Sequence, residues 1–235
     1  MEKFDALAQA GKRKFIFIGE AGSGKSEIAL NAAVYLAKRF SVTVHFFDMD
    51  MTKPLFRSRD LAEVMKQENV IIHFEEQFFD APTLVGGVNE YLNDPDSFVV
   101  MDVGGDHVGA RSIGGFILNS RRKNYVPYYV LNAYRPWSDN IDHVDGTLGQ
   151  ILAVCHIQIQ DLHMISNPNL GADTSVSDVI AGADRMDEVV GPYIPVDFVC
   201  VKEELYDEVK ALDDREYFPL HRYLEYPWMT ETAGE

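Results

Sequence analysis

The feature that most constrains this chain is the glycine-rich octapeptide Gly19-Glu-Ala-Gly-Ser-Gly-Lys-Ser26. An apolar run, Phe15–Ile18, precedes it, and a stretch of helical period, Lys25–Arg39, follows it. Glycines let such a loop curl until its N–H groups converge on one point, where the helix N-terminus adds partial positive charge. A strand, this loop and a helix in that order form a phosphate-binding loop, or P-loop. The sequence therefore predicts nucleotide contacts from Gly19, Glu20, Ala21, Gly22, Ser23, Gly24, Lys25, Ser26 and Glu27.

Two side chains of this loop carry the expected chemistry. Lys25 is predicted to reach the β- and γ-phosphates and to act in catalysis. Ser26 is predicted to supply a hydroxyl ligand to Mg²⁺. The loop therefore implies both a nucleotide and Mg²⁺ as cofactors.

A further metal-binding carboxylate is expected at the end of a neighbouring apolar strand. Asp102 lies in the run Phe98–Val103 and is predicted to hold the metal together with Ser26. Gly104, Gly105 and Asp106 follow it and are predicted to form a switch that changes shape when the γ-phosphate leaves. The alternative is that Asp102 only terminates a strand.

Asp48 and Asp50 follow another apolar strand and, two residues apart, lie on one side of the chain. We predict that Asp48 binds the metal, through a metal-bound water, and that Asp50 orients the attacking water in catalysis. A solvated loop whose acids happen to be two apart remains the alternative.

Short apolar runs alternate with segments of helical period, the pattern of parallel strands joined by crossover helices. We therefore predict an α/β fold, a three-layer, doubly wound, mostly parallel sheet of about seven strands. The predicted strands are Lys14–Ile18, Val42–Asp48, Val70–Phe74, Phe98–Val103, Tyr128–Asn132, Leu162–Ser166 and Ile194–Cys200. The predicted helices are Lys25–Arg39, Leu61–Gln67, Leu84–Leu92, Arg111–Ser120, Ile141–Val154, Val176–Val189 and Lys202–Leu212.

Length and charge narrow the function classes. We expect residues 1–235 to form a single nucleotide-binding domain, with residues 213–235, rich in acidic and aromatic side chains, as a C-terminal appendage on the domain or on a partner. The formal net charge of −16 repels the phosphates of nucleic acids and anionic membranes, so neither is an expected partner.

The cysteines and the apolar runs bear on metal binding and on cellular location. Cys155 and Cys200 lack the spacing of a zinc or redox site and are expected to be buried thiols. No apolar run reaches the length of a signal peptide or a membrane span, so we expect no membrane span and a cytoplasmic protein.

Taken together, the octapeptide, Asp48-x-Asp50, Asp102-Val-Gly-Gly105 and Asn167 resemble the MinD/ParA and nitrogenase-iron-protein branch of the SIMIBI-class P-loop ATPases. The resemblance covers most of residues 13–200. It implies a Mg²⁺-dependent ATPase with Asp48-x-Asp50 as switch I and the segment after Asp102 as switch II.

Two positions depart from that branch. Gly109 stands about where the iron protein has a cluster-ligating cysteine, so electron transfer is not implied. Glu20 replaces the lysine that reaches the partner's phosphate across a dimer, and a carboxylate does not stabilise phosphate charge. The chain is therefore expected to be a monomer or a homodimer without activation in trans.

The segment after the sixth predicted strand bears on the base. In the related ATPases an asparagine at the position of Asn167 hydrogen-bonds the exocyclic amine of adenine. The guanine-specific pattern Asn-Lys-x-Asp is not matched, because this segment is Asn167-Pro-Asn-Leu170. Residues 191–197 resemble that family's loop over the adenine face, which adds Pro195 to the predicted contacts. ATP, with ADP as product, is thus expected, and GTP is the alternative.

Arg135 follows the fifth predicted strand, at the edge where open α/β sheets bind ligands, and is a candidate contact to a substrate, an anion or a partner. An arginine stacked on nearby aromatic residues or bonded to backbone is equally consistent with the sequence. The leading hypothesis is a nucleotide switch acting on an unidentified protein partner, in metallocofactor assembly or enzyme activation. The alternatives are a kinase-type transferase of small molecules, a GTPase, and a binding module without turnover.

Overall fold

The structure is a computed structural model that describes residues 1–49, 61–73, 88–105, 110–111, 113–115, 117 and 124–224. Eight strands lie in this part of the chain. They are β1 (Lys14–Gly19), β2 (Val44–Met49), β3 (Val70–His73), β4 (Phe98–Val103), β5 (Tyr125–Leu131), β6 (His163–Ser166), β7 (Val196–Lys202) and β8 (Tyr217–Leu220).

All eight strands belong to one sheet, in the order β3-β2-β4-β1-β5-β6-β7-β8. Every neighbouring pair is parallel. The predicted α/β class with a parallel sheet is therefore confirmed, with eight strands where about seven were expected. Because all carboxyl ends meet at one edge, the loops after β1, β5 and β6, together with the ends of β2 and β4, gather around the same site.

Helices connect the strands and cover both faces of the sheet. They are α1 (Glu2–Gln9), α2 (Lys25–Phe40), α3 (Ala62–Gln67), α4 (Val88–Asn93), α5 (Ile141–Cys155), α6 (Val176–Val189) and α7 (Tyr206–Leu212). Residues 110–111, 113–115 and 117 are also helical, and short 3₁₀ helices span Pro136–Ser138, Ile159–Asp161 and Glu203–Leu205.

The core has a half on each face of the sheet. On one face, α1 contributes Phe4 and α2 contributes Ile28 and Leu36, all fully buried. On the other face, α5 contributes Leu148 and Ile151. Every residue of β1, β4 and β5 is buried, which explains why these strands are nearly continuous apolar runs in the sequence.

Two elements were not predicted, α1 and β8. In α1, core contact comes mainly from Phe4 and Ala8, too few residues to give a helical period. In β8 there are only four residues, and one is Pro219, which is tolerated because β8 lies at the sheet edge. The strand falls within residues 213–235, which were predicted to form an appendage and not a part of the sheet.

β5 begins before Pro127, whereas the predicted strand began after it. Proline lacks the N–H that a central strand normally donates. Here pairing with β6 starts only at Tyr128, opposite His163, so Pro127 precedes that ladder. The strand therefore extends back to Tyr125 along β1.

The two cysteines are free and buried, as predicted, and burial raises the pKa of both thiols. Among the described helices, none combines the length and apolar character that crossing a bilayer requires.

A buried lysine closes the amino-terminal end of β1. Lys14 is 2% exposed, and its Nζ donates to the carbonyl oxygens of Tyr91, Asp94 and Ser97 at 2.7, 2.8 and 2.6 Å. Burial lowers the pKa of Lys14 to about 8. The three bonds tie β1 to the end of α4 and to the turn before β4, and so fix the two strands that carry Gly19 and Asp102.

Replacing Lys14 with methionine is expected to destabilise the protein by about 2–4 kcal/mol, because three carbonyl groups lose a buried donor. Urea denaturation followed by circular dichroism measures the change. Lys66→Met, at an exposed position of α3, is the control and should change the free energy of unfolding by less than about 0.5 kcal/mol. Equal midpoints for the two variants would contradict the role assigned to Lys14.

Candidate nucleotide-binding site

The loop between β1 and α2 has a backbone that only glycine adopts readily. Gly19, Gly22 and Gly24 have φ angles of 148°, 78° and 91°. A Cβ atom on Gly19 would lie 2.6 Å from the carbonyl oxygen of Val130 on β5. The close approach of β5 therefore requires glycine here. The loop opens directly into α2, whose first residue is Lys25.

Asn167 locks the second half of this loop. Its Nδ2 donates to the carbonyl oxygen of Ser23 at 2.7 Å, and the residue is 3% exposed. A Cβ atom on Gly24 would lie 2.2 Å from that nitrogen. Asn167 thus links the end of β6 to the P-loop. This link is separate from the contact with the base that the sequence predicts for Asn167.

The side chains of the loop differ in exposure. Lys25 and Ser23 are buried at 1% exposed each, whereas Ser26, at the start of α2, is partly exposed. A helix N-terminus with N–H groups free of intrahelical bonds attracts anions, and a lysine beside it adds a full charge. The geometry and charge of the loop therefore suit phosphate.

The structure brings Asp48 and Asp102 side by side. They are register partners on the adjacent parallel strands β2 and β4. In each strand the residue two positions earlier, Phe46 or Val100, belongs to the core half that contains α2. Because side chains alternate along a strand, both aspartates point to the side of the sheet on which α2 and Ser26 lie.

Gly105 packs directly on the P-loop. A Cβ atom at this position would lie 2.7 Å from the backbone nitrogen of Ala21. Gly104 precedes it at the end of β4, so the segment predicted as a switch touches the loop predicted to bind phosphate. Asp50, Asp106 and Gly109 lie outside the described residues.

Glu27 turns away from the loop and holds the C-terminal part of the chain. Its carboxylate accepts the backbone N–H groups of Tyr223 and Leu224 at 2.6 and 3.1 Å. Four residues later on α2, Asn31 donates to the carbonyl oxygen of His221 and accepts from its N–H, at 2.8 and 2.9 Å. We call residues 221–224 the C-terminal clasp. No sequence pattern predicted it.

Glu20 is 9% exposed, and its carboxylate adds to burial in raising the pKa of Tyr129. The carboxylate of Glu20 therefore lies close to Tyr129 on β5. The absence of a trans-acting role for Glu20 stays a prediction.

Arg135 lies at the P-loop, as its place after β5 predicted. Its Nε donates to the carbonyl oxygen of Gly22 at 3.1 Å. The adjoining Asn132, buried at 1% exposed, donates to the carbonyl oxygen of Asn169 and so joins the loops after β5 and β6. Sequence reasoning assigned no role to Asn132.

Pro195 is not brought to this site, which corrects the prediction for residues 191–197. It directly precedes β7, and Val196 at the start of β7 pairs with Met164 near the start of β6. The amino ends of parallel strands lie at the edge opposite the P-loop. The resemblance failed here because the matching residues stand before the strand instead of after it.

The donors at the site suit Mg²⁺. A serine hydroxyl and two carboxylates are oxygen ligands of the kind that Mg²⁺ takes alongside water and nucleotide phosphates. Among the described residues, no group of three or more histidine, cysteine, aspartate or glutamate side chains is arranged to hold a metal by itself. The site thus resembles one in which nucleotide and metal bind together.

Solved structures share this architecture. FtsY of Mycoplasma mycoides aligns with 85% of this chain and 68% of its own, at a TM-score of 0.55 and 14% identity. The fold is that of the P-loop NTPases. Chloroplast FtsY of Physcomitrella patens has a TM-score of 0.53 at 18% identity, over 88% of this chain and 61% of its own.

The signal recognition particle 54 kDa protein of Aeropyrum pernix K1, solved with GDP, has a TM-score of 0.53 at 15% identity, over 83% of this chain and 46% of its own. This chain therefore spans less than two thirds of two of these proteins. No protein-family model matches it, and no curated protein matches it in sequence. The neighbours belong to the SIMIBI class; the MinD/ParA branch stays a prediction.

Gly105→Ala is expected to weaken nucleotide binding at least about tenfold, or 1.4 kcal/mol, because the new methyl group displaces the P-loop backbone at Ala21. Titration calorimetry with nucleotide and Mg²⁺ measures the affinity. Gly146→Ala is the control: it lies on α5 with nothing within 4 Å of the added Cβ. Unchanged affinity in Gly105→Ala would show that the contact does not shape the loop.

Glu27 should make stability fall as pH rises. Burial raises the pKa of Glu27 to about 7 from its usual value of 4.5. Between these values the folded state holds more protons than the unfolded state, so stability decreases by up to about 1.4 kcal/mol per pH unit. In Glu27→Gln this decrease should be absent.

Thermal melts from pH 4.5 to 8 compare wild type, Glu27→Gln and the exposed control Glu63→Gln. The expected result is a melting-temperature difference between wild type and Glu27→Gln that grows with pH. Parallel curves for all three proteins would argue against a raised pKa at Glu27.

Proposed function

We propose that this chain is a Mg²⁺-dependent nucleoside triphosphatase that acts as a nucleotide-state switch on a partner protein. The observation that carries the proposal is the pairing of Asp48 with Asp102 on the side of the sheet where α2 begins. A P-loop alone binds phosphate; two carboxylates on the same side of the sheet as Ser26 add the means to hold a metal against it.

Each residue has a role that follows from its chemistry. The backbone N–H groups of residues 19–26 and Lys25 bind the phosphates, while Ser26, Asp102 and Asp48 hold Mg²⁺ directly or through water. When bound, Mg²⁺ neutralises phosphate charge that develops during transfer. Asp50 is proposed to orient the attacking water.

The switch is proposed from the contact between Gly105 and Ala21. Asp102 lies three residues before Gly105, so the proposed metal ligand and the P-loop contact share one short segment. A change at the terminal phosphate alters both ends of that segment. The chain after Gly105 is where a partner would sense the change.

Two bases are candidates, each with its own support. GTP is proposed first, because the structurally similar 54 kDa protein was solved with GDP. ATP is second: Asn167 uses Nδ2 on Ser23, and within the described residues its Oδ1 accepts no hydrogen bond. An open acceptor matches the exocyclic amine of adenine and not the carbonyl oxygen of guanine.

Binding and phosphate release with GTP and ATP, in the presence and absence of Mg²⁺, test the proposal. Lys25→Ala is expected to lower affinity at least about tenfold, and Asp102→Asn to abolish the Mg²⁺ dependence of hydrolysis. Lys38→Ala, at the exposed end of α2, is the matched control and should behave as wild type. A wild-type protein that binds neither nucleotide would overturn the proposal.

A further inference from the structure

Resting on the proposed function, we infer that Arg135 acts in cis on the terminal phosphate of the bound nucleotide. It is anchored to the P-loop through Nε, and its terminal guanidinium nitrogens provide the phosphate contact. Three features support this: a fixed backbone, a position on the P-loop, and terminal guanidinium nitrogens without a partner in the described part of the chain.

The backbone of Arg135 is held from both sides. Its N–H donates to the carbonyl oxygen of Asn132 at 2.9 Å, and its own carbonyl oxygen accepts from Ser138 at 3.0 Å. Pro136 then begins a 3₁₀ helix. Proline fixes the backbone that follows Arg135, so its side chain leaves from a rigid turn.

The side chain lies along the P-loop. Nε donates to the carbonyl oxygen of Gly22, and a Cβ atom on Gly22 would lie 3.4 Å from Nε and 3.9 Å from Cδ. Glycine at this position thus admits the arginine. Gly22 is three residues before Lys25, so two cations flank the second half of the loop.

The guanidinium has capacity left over. Arginine has five N–H donors, and only the one on Nε is used on Gly22. In the described residues no carboxylate pairs with Arg135, in contrast to Arg39 on Asp5 and Arg215 on Asp184. In a chain of net charge −16, a half-buried arginine with unused donors next to a phosphate-binding loop is suited to an anionic ligand.

This arrangement provides in cis the positive charge that Glu20 does not provide. A cationic donor that is already in place when nucleotide binds stabilises negative charge on the terminal phosphate without waiting for a partner. Arg135 should therefore distinguish triphosphate from diphosphate, whereas a residue that only supports the loop would affect the binding of both equally.

The test measures equilibrium binding of the β,γ-imido triphosphate and of the diphosphate, for guanine and adenine, with Mg²⁺. Arg135→Gln retains a donor for Gly22 but no charge, and Arg135→Lys retains the charge. Arg185→Ala is the control, since Arg185 donates to the carbonyl oxygen of Asp139 on the same side of the molecule. Hydrolysis under single turnover is measured in parallel.

Arg135→Gln should weaken triphosphate binding at least about tenfold and diphosphate binding less than about threefold, with slower single-turnover hydrolysis. Arg135→Lys should recover part of both losses, and Arg185→Ala should match wild type. Equal losses of affinity for the two nucleotides in Arg135→Gln, or no loss, would overturn the role of Arg135. The proposed function would still hold, provided that the wild-type protein binds nucleotide. No binding by wild type would instead refute the proposed function.

Discussion

The P-loop keeps its shape because neighbouring segments pack closely against its backbone, with a glycine on one side of each contact. Gly19 admits the carbonyl of Val130, Gly24 admits the amide of Asn167, and the backbone at Ala21 receives Gly105. Each contact comes from a different strand end, β5, β6 or β4. The curvature of the loop is thus a property of the whole parallel sheet, in which these ends converge, and not of the octapeptide alone.

The same convergence explains how much was predictable. A strand, a glycine-rich loop and a helix are local, so β1, the loop and α2 followed from residues 14–40 with almost their observed bounds. The buried strands were also predictable, because each appears in the sequence as a local apolar run. Asp48 and Asp102 were each predicted as metal ligands, but their pairing depends on strand order, which no local pattern encodes.

The failures have physical causes of the same kind. Pro195 was assigned from a similar string of residues, yet whether a loop precedes or follows its strand decides which edge it reaches. β8 and α1 are too short to show a period, and their positions depend on contacts far along the chain, such as Phe4 with Tyr128. The choice between adenine and guanine could not be predicted, because the contacts to the base come from side chains that only the fold brings together.

The C-terminal clasp has a consequence for how the protein is made. Residues 221–224 follow every other described segment in the chain, and they bond to Glu27 and Asn31 in the first two turns of α2. During synthesis α2 leaves the ribosome long before its clasp does. The first turns of the P-loop helix must therefore wait for the last described residues before a buried carboxylate and amide find their partners. A nascent chain would thus complete the packing of the first two turns of α2 only once residue 224 had emerged.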